Sequence, residues 1–189
     1  MERTSKPIKS AKYARRKFLK CTIAVAATST FSNIIHANTS SSSERTLEFI
    51  NLHTDEKLHS NYWVDGEYDA NSLSEINYIL RDHRANEVHE IDTGLIDILH
   101  TLHSTVGSKS PFHIISAYRS PSTNEKLRGQ TNGVAKKSLH MQGLAIDIRL
   151  PDVELKHLRD AAISLQAGGV GYYAKSNFLH IDMGKPRYW

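Results

Sequence analysis

Residues 138–147 read SLHMQGLAID, and the alternation that starts inside this segment runs on to Leu150. Leu144, Ile146 and Ile148 point one way, and Ala145, Asp147 and Arg149 the other, which is the period of a strand. Pro151 ends it. A second alternating segment covers residues 178–183 and contains His180-Ile181-Asp182. There Phe178, His180 and Asp182 share one face and Leu179 and Ile181 the other. If the two strands pair, Asp147 meets His180 across the sheet. His140, seven residues before Asp147, then sits where the chain enters from a loop. Gly143 and Ala145 would keep the floor between them open. Two imidazoles and one carboxylate form the protein part of a catalytic zinc site whose fourth position is left for water. A zinc hydrolase is therefore the first expectation.

The other elements surround this pair of strands. Residues 47–52 predict a first strand. Residues 72–83 predict a helix, with Ser72 and Glu75 as a capping box and Leu73, Ile76, Ile79 and Leu80 as its apolar stripe. A second helix starts at Asp92, turns Leu95, Leu99, Leu102 and Val106 inward, and stops at Gly107. Residues 112–117 predict a strand and 121–128 a short helix. Residues 130–138 form a polar loop with Gly133, Lys136 and Lys137. Residues 152–166 predict a further helix carrying Leu155, Leu158, Ala162 and Leu165 on one side. Residues 170–173 pair in hairpin fashion with the last strand. Helices come early and strands late, which implies an α+β fold with a mostly antiparallel central sheet and helices packed on it.

The 189 residues suit one domain after a leader. Eight Lys or Arg and one acidic residue lie in residues 1–37. The rest has 16 basic and 19 acidic side chains, so the overall charge of +4 becomes −3 outside the leader. That balance argues against a nucleic-acid partner. Lys12, Arg15, Arg16, Lys17 and Lys20 precede an apolar or small-residue run over 21–37. Arg15-Arg16-Lys17-Phe18-Leu19-Lys20 resembles a twin-arginine export signal, which implies a periplasmic protein. Ile35-His36-Ala37 offers a cleavage site. The alternatives are an uncleaved anchor or a basic tail; the run is short and interrupted for a membrane span. Residues 38–44 are a Ser-rich linker, and 45–189 the domain. The sole cysteine, Cys21, lies in the leader, so disulfides and a cysteine nucleophile are excluded from the mature chain.

SLHMQGLAID fits S-x-H-x-x-G-x-A-x-D, and the segment resembles the signature of zinc D-Ala-D-Ala metallopeptidases of the VanX and lysostaphin-related group. Ser116-Ala117-Tyr118-Arg119-Ser120 is similar to the S-x-Y-R-S strand end of the same group. The leader, GGVGYY at 168–173 and the HID ending resemble the YcbK/MepK type of murein endopeptidase within it. The resemblance spans about residues 45–189. It implies one zinc ion on His140, Asp147 and His180, with Arg119 and Ser138 lining the substrate cleft. It also implies that the substrate is a peptide bridge of peptidoglycan, including bridges between two diaminopimelate residues. Many members of the group carry a Glu or His two or three residues before the second His ligand, as the catalytic base. Here those positions are Asn177 and Phe178, and neither takes a proton.

Chemistry adds to these roles and leaves some open. The Arg119 guanidinium suits a substrate carboxylate, or charge building on an attacked carbonyl; alternatively it forms a salt bridge to Asp147 or Asp182. Ser138 is a cleft residue or a loop hydroxyl. Asp182 is the candidate base, or else an outer carboxylate that orients a ligand imidazole. Tyr172 and Tyr173 alternate, so one faces the cleft; Tyr172 is the candidate substrate contact, although periodicity does not decide between them. His100 and His103 are a possible metal pair without a third ligand. The expected activity is endopeptidase cleavage of wall cross-links. The rivals are a D,D- or L,D-carboxypeptidase that trims stem peptides, and a zinc-stabilised wall-binding domain without turnover.

Overall fold

A computed structural model describes residues 44–130 and 133–189. The export signal at 1–37, and the expected linker apart from Glu44, lie outside the described residues. Glu44 is not linker: it opens the first strand.

Strands β1 (Glu44–Asn51), β2 (Lys57–Val64) and β3 (Glu67–Tyr68) come first, followed by helices α1 (Ala70–Ile79) and α2 (Thr93–Val106). Then come β4 (Phe112–Ser116), α3 (Pro121–Gln130), β5 (Ala145–Arg149) and α4 (Leu155–Ser164). The chain ends in β6 (Gly169–Tyr173), β7 (Phe178–Asp182) and β8 (Arg187–Tyr188). The eight strands form one sheet in the order β3-β2-β1-β4-β5-β7-β6-β8. The sheet is mixed, which corrects the expectation of a mostly antiparallel one: β1 runs parallel to β4, and β6 parallel to β8. The reason lies in the connections. A short turn returns a strand antiparallel to its predecessor, whereas the path through α1 and α2 brings β4 back in the direction of β1.

Local sequence explains most element ends. Asp92 caps α2 by accepting from Gly94 N at 2.8 Å, and Gly107 closes it in the left-handed region. Helix α1 starts earlier than the Ser72 capping box implies, because Asp69 is the cap: its carboxylate accepts from Ser72 N at 2.7 Å. Helix α4 starts later than Asp152. That carboxylate instead accepts from Ser108 Oγ and Lys109 N, at 2.7 and 2.8 Å, and holds residue 152 outside the helix. Strand β2 escaped periodicity because polar Ser60 takes one of its inward positions beside Tyr62.

The apolar faces meet in one core. Phe49, Phe112, Ile114, Ile146, Ile148, Leu179 and Ile181 from the strands bury against Ile76, Leu95, Ile96, Leu99, Leu102 and Leu158 from the helices. Each such side chain contributes about 1.5–3 kcal/mol when fully buried. Period-2 alternation then has a consequence for β5 and β7: their opposite face carries Asp147, His180 and Asp182. Among the described residues no helix is long and apolar enough to cross a membrane.

Candidate metal centre

Strands β5 and β7 are antiparallel neighbours, and their register sets Asp147 directly opposite His180. His140 comes from a single 3-10 turn, Leu139–Gln142, that leads into β5. Gly143 ends this turn with φ +67, and a Cβ there would lie 2.1 Å from Glu90 O. Only glycine fits both the left-handed backbone and the close approach. The contact is sealed by Asp92 N, which donates to Gly143 O at 3.1 Å. The chain just after β4 grips His140 twice. Arg119 N donates to His140 O at 3.1 Å, and Ala117 O lies 2.7 Å from His140 Nδ1.

Three ligand atoms therefore converge. His180 Nδ1 is 2.8 Å from Asp147 Oδ1 and 3.2 Å from His140 Nε2, and His140 Nε2 is 3.4 Å from Asp147 Oδ1. Tetrahedral zinc with bonds of about 2.0–2.1 Å separates neighbouring ligand atoms by about 3.3 Å. The donor set fits such an ion. The far sides of both rings are also arranged for it. Ala117 O receives the Nδ1 proton of His140, and Asp182 Oδ2, 2.9 Å away, receives the Nε2 proton of His180. Each ring is left with its other nitrogen facing the triangle, as metal-ligating histidines require.

The charges agree. Burial pushes Asp147 up, but the two imidazoles outweigh it and hold the carboxyl below the usual carboxylate range. Burial pulls His180 down, yet Asp147 and Asp182 on either side push it up to about 9. A proton on Nδ1 must therefore leave before that atom can act as a ligand.

The triangle lies in a cavity of about 360 Å³. Arg119, Lys137 and Ser138 line it together with Tyr173, Phe178 and Trp189. Arg119 is only loosely committed. It donates to Ser116 Oγ at 3.3 Å and Asn124 Oδ1 at 3.4 Å, and lies 3.9 Å from Asp147 Oδ2. Its Nε is buried without a partner among the described residues. Burial holds its pKa below the ordinary arginine value, against the attraction of Asp147.

One expectation needs correction and another gains an observation. Tyr172 does not line the cavity. It pairs with Leu179 in the sheet, packs on the core, and lies under the Arg159 guanidinium at 4.8 Å. Tyr173, one residue on, takes the cavity side, stacked on Phe178 at 4.5 Å. Asp182 borders the cavity, but its side chain is 1% exposed and engaged. It stands behind the His180 ring and also accepts from Gly169 N, Gly184 N and Arg187. Burial raises its pKa, but the bonds from His180 and Arg187 prevail and hold it below the usual range. Those contacts are the ones an orienting carboxylate makes, the second of the two roles its position allows.

His100 and His103 do not form a metal pair. His100 meets the edge of Tyr62, and His103 Nε2 lies 2.9 Å from Ser110 O. Asn177 is the left-handed residue at the turn before β7, and Phe178 is cavity wall, so neither supplies a base. Periodicity also missed Arg187 and Trp189, which lie beyond the last long strand. Their signal was two large side chains so soon after HID.

An α+β domain whose neighbouring strands present an Asp and a His beside a second imidazole has the donor set of a metallohydrolase. The chain belongs to the Peptidase_M15_2 family, described as peptidoglycan L,D-endopeptidase MepK, whose family model matches residues 39–189. It is 44% identical over 145 residues to peptidoglycan L,D-endopeptidase MepK of Escherichia coli (strain K12), covering 77% of this chain and 80% of that protein. It is 36% identical over 176 residues to the probable peptidoglycan L,D-endopeptidase MepK of Haemophilus influenzae, covering 93% and 95%. No solved structure matches.

Proposed function

We propose that this chain is a zinc-dependent murein endopeptidase that hydrolyses peptide cross-links of peptidoglycan, including those between two diaminopimelate residues. The observation that carries this reading is the convergence of His140 Nε2, Asp147 Oδ1 and His180 Nδ1 within 3.4 Å of one another in an open cavity. His140, Asp147 and His180 would hold one zinc ion, which would supply a Lewis acid for the scissile carbonyl and for water. The chain's own residues do the rest. Asp147, kept ionised by its imidazole neighbours, would contribute negative charge to the ion. Asp182 fixes the His180 ring. Arg119, with a partnerless Nε and long bonds elsewhere, receives a substrate carboxylate or the oxygen on which charge develops. Ser138, buried at the cavity wall, is a further substrate contact.

The test is incubation of the purified protein with cross-linked muropeptides, with products followed by mass. Dimer converted to monomer, abolished by a chelator and restored by zinc, is the expected result. Loss of a single terminal alanine would make the enzyme a carboxypeptidase. No product from folded, zinc-loaded protein would leave a wall-binding domain.

Residues 1–37 read as a leader that exports the folded, metal-loaded chain by the twin-arginine route into the periplasm. Replacing Arg15 and Arg16 by Lys should leave precursor in the cytoplasm. Normal periplasmic accumulation of that variant would exclude the route.

A further inference from the structure

We infer that Arg187 is a positioning residue for the metal centre, acting through Asp182 on the His180 imidazole. The inference rests on the metal-site reading above and adds to it a residue outside the ligand set. Arg187 meets Asp182 with two parallel bonds, Nη1 to Oδ1 at 3.0 Å and Nη2 to Oδ2 at 2.6 Å. This fork geometry fixes the plane of a carboxylate as a lysine would not. The Asp182 side chain is 1% exposed, and its remaining acceptor capacity is taken. Oδ1 accepts from Gly184 N at 2.8 Å and Gly169 N at 3.3 Å, and Oδ2 from His180 Nε2 at 2.9 Å. Oδ2 is thus shared between the guanidinium and the ligand ring. Any rotation of the carboxylate breaks both contacts.

The surrounding backbone is shaped to this pair. A Cβ on Gly169 would lie 2.5 Å from both Arg187 Nη1 and Asp182 Oδ2, and one on Gly184 would lie 2.6 Å from the same Nη1. Trp189 covers the guanidinium, 5.1 Å from its ring centre. The ion pair is not the sole contact of β8. That strand pairs with β6, and Trp189 adds two backbone bonds, Trp189 N to Val170 O and Tyr172 N to Trp189 O.

Electrostatics explains why such a cation is required. His180 stands between two carboxylates, Asp147 on the metal side and Asp182 behind. Without Arg187, Asp182 is a buried carboxylate that has lost its guanidinium partner. Its carboxylate is then free to turn away from the ring, and Nδ1 of His180 loses its fixed presentation.

Zinc affinity is the direct readout, measured by competition with a chromophoric chelator for the purified wild type, R187Q, R187K, D182N and the R187Q/D182N double variant. Thermal stability of each metal-free form is recorded beside it. R187Q should bind zinc 10–100-fold more weakly, the range seen when a partner behind a ligand is lost. R187K should fall between it and wild type. The double variant should bind within about twofold of D182N alone, because Arg187 acts through that carboxylate. A purely structural bridge would lower metal-free stability while zinc affinity stayed within about twofold of wild type, and that result overturns the inference. Additive losses in the double variant overturn it as well. A wild type that binds no zinc removes the metal-site reading and this inference with it, so the two failures are distinguishable.

Discussion

Asp147 and His180 face each other across adjacent antiparallel strands, with Asp147 Oδ1 2.8 Å from His180 Nδ1. The contact is between two atoms that both point at the candidate ion position, so their attraction holds the site together before metal enters. Asp147→Asn keeps the shape and removes the charge. It should reduce zinc affinity at least 100-fold and abolish hydrolysis, while the far-ultraviolet circular dichroism stays that of wild type. Unchanged zinc binding would show that Asp147 is not a ligand.

The position of Asp182 behind the His180 ring separates two roles in one titration. In Asp182→Asn, activity should fall at limiting zinc and return to within about tenfold of wild type when zinc is saturating, because only metal affinity has been weakened. Activity that stays absent with zinc fully bound would restore Asp182 as the base.

Arg119 presents a guanidinium with an unpartnered Nε beside the triangle. Arg119→Lys retains charge but loses the fork. A drop in kcat/KM of about 10²-fold is expected, the size of losing one donor to developing charge, with zinc affinity changed by less than about threefold. A large loss of zinc with a small loss of kcat/KM would assign Arg119 to the metal rather than the substrate.

Acid stability should depend on Asp82. Its carboxylate accepts from Ser120 N and Oγ, at 2.9 and 2.7 Å, and from Arg84 N at 3.0 Å, and so ties the chain after β4 to the end of α1. Burial raises its pKa, but the Thr123 and Ser120 hydroxyls and these backbone donors prevail and hold it at about 2. The folded value lies below the unfolded one, so the stabilisation is present above about pH 4 and is lost as pH falls toward 2. Its size is about 2 kcal/mol. Urea midpoints for wild type and Asp82→Asn should differ at pH 6 and converge near pH 2; a constant gap would refute the linkage.

Gly143→Ala should be costly for a backbone reason. Its φ of +67 is unfavourable for alanine, and the added Cβ would meet Glu90 O at 2.1 Å. A loss of more than about 2 kcal/mol is expected from strain and displaced backbone together. Zinc binding should weaken too, because the His140 turn must move. A variant with wild-type stability and affinity would mean that the turn relaxes freely.

Much of the site was legible because strand alternation is a local property. Asp147 and His180 each sit on an alternating apolar strand, and period 2 alone assigns them a face whatever the rest of the chain does. Capping is equally local, so Asp92 and Gly107 bound α2 as expected. Helix α1 misled for a local reason as well: Asp69 outcompetes Ser72 as the cap.

What needed the tertiary structure was every question of neighbours. Alternation says that Tyr172 and Tyr173 point opposite ways, but only the pairing of Tyr172 with Leu179 decides that Tyr173 reaches the cavity. The sequence places Asp182 two residues from His180, yet its role follows from Arg187, brought beside it when β8 returns parallel to β6. The same holds for β4, whose parallel place beside β1 makes the sheet mixed and whose following residue Ala117 grips His140. The sequence by itself determined which donors exist and which strand faces they occupy, because those depend on dihedral geometry over a few residues. Strand order and ring orientation are settled by burial and hydrogen bonding between segments far apart in the chain, and no local pattern encodes them.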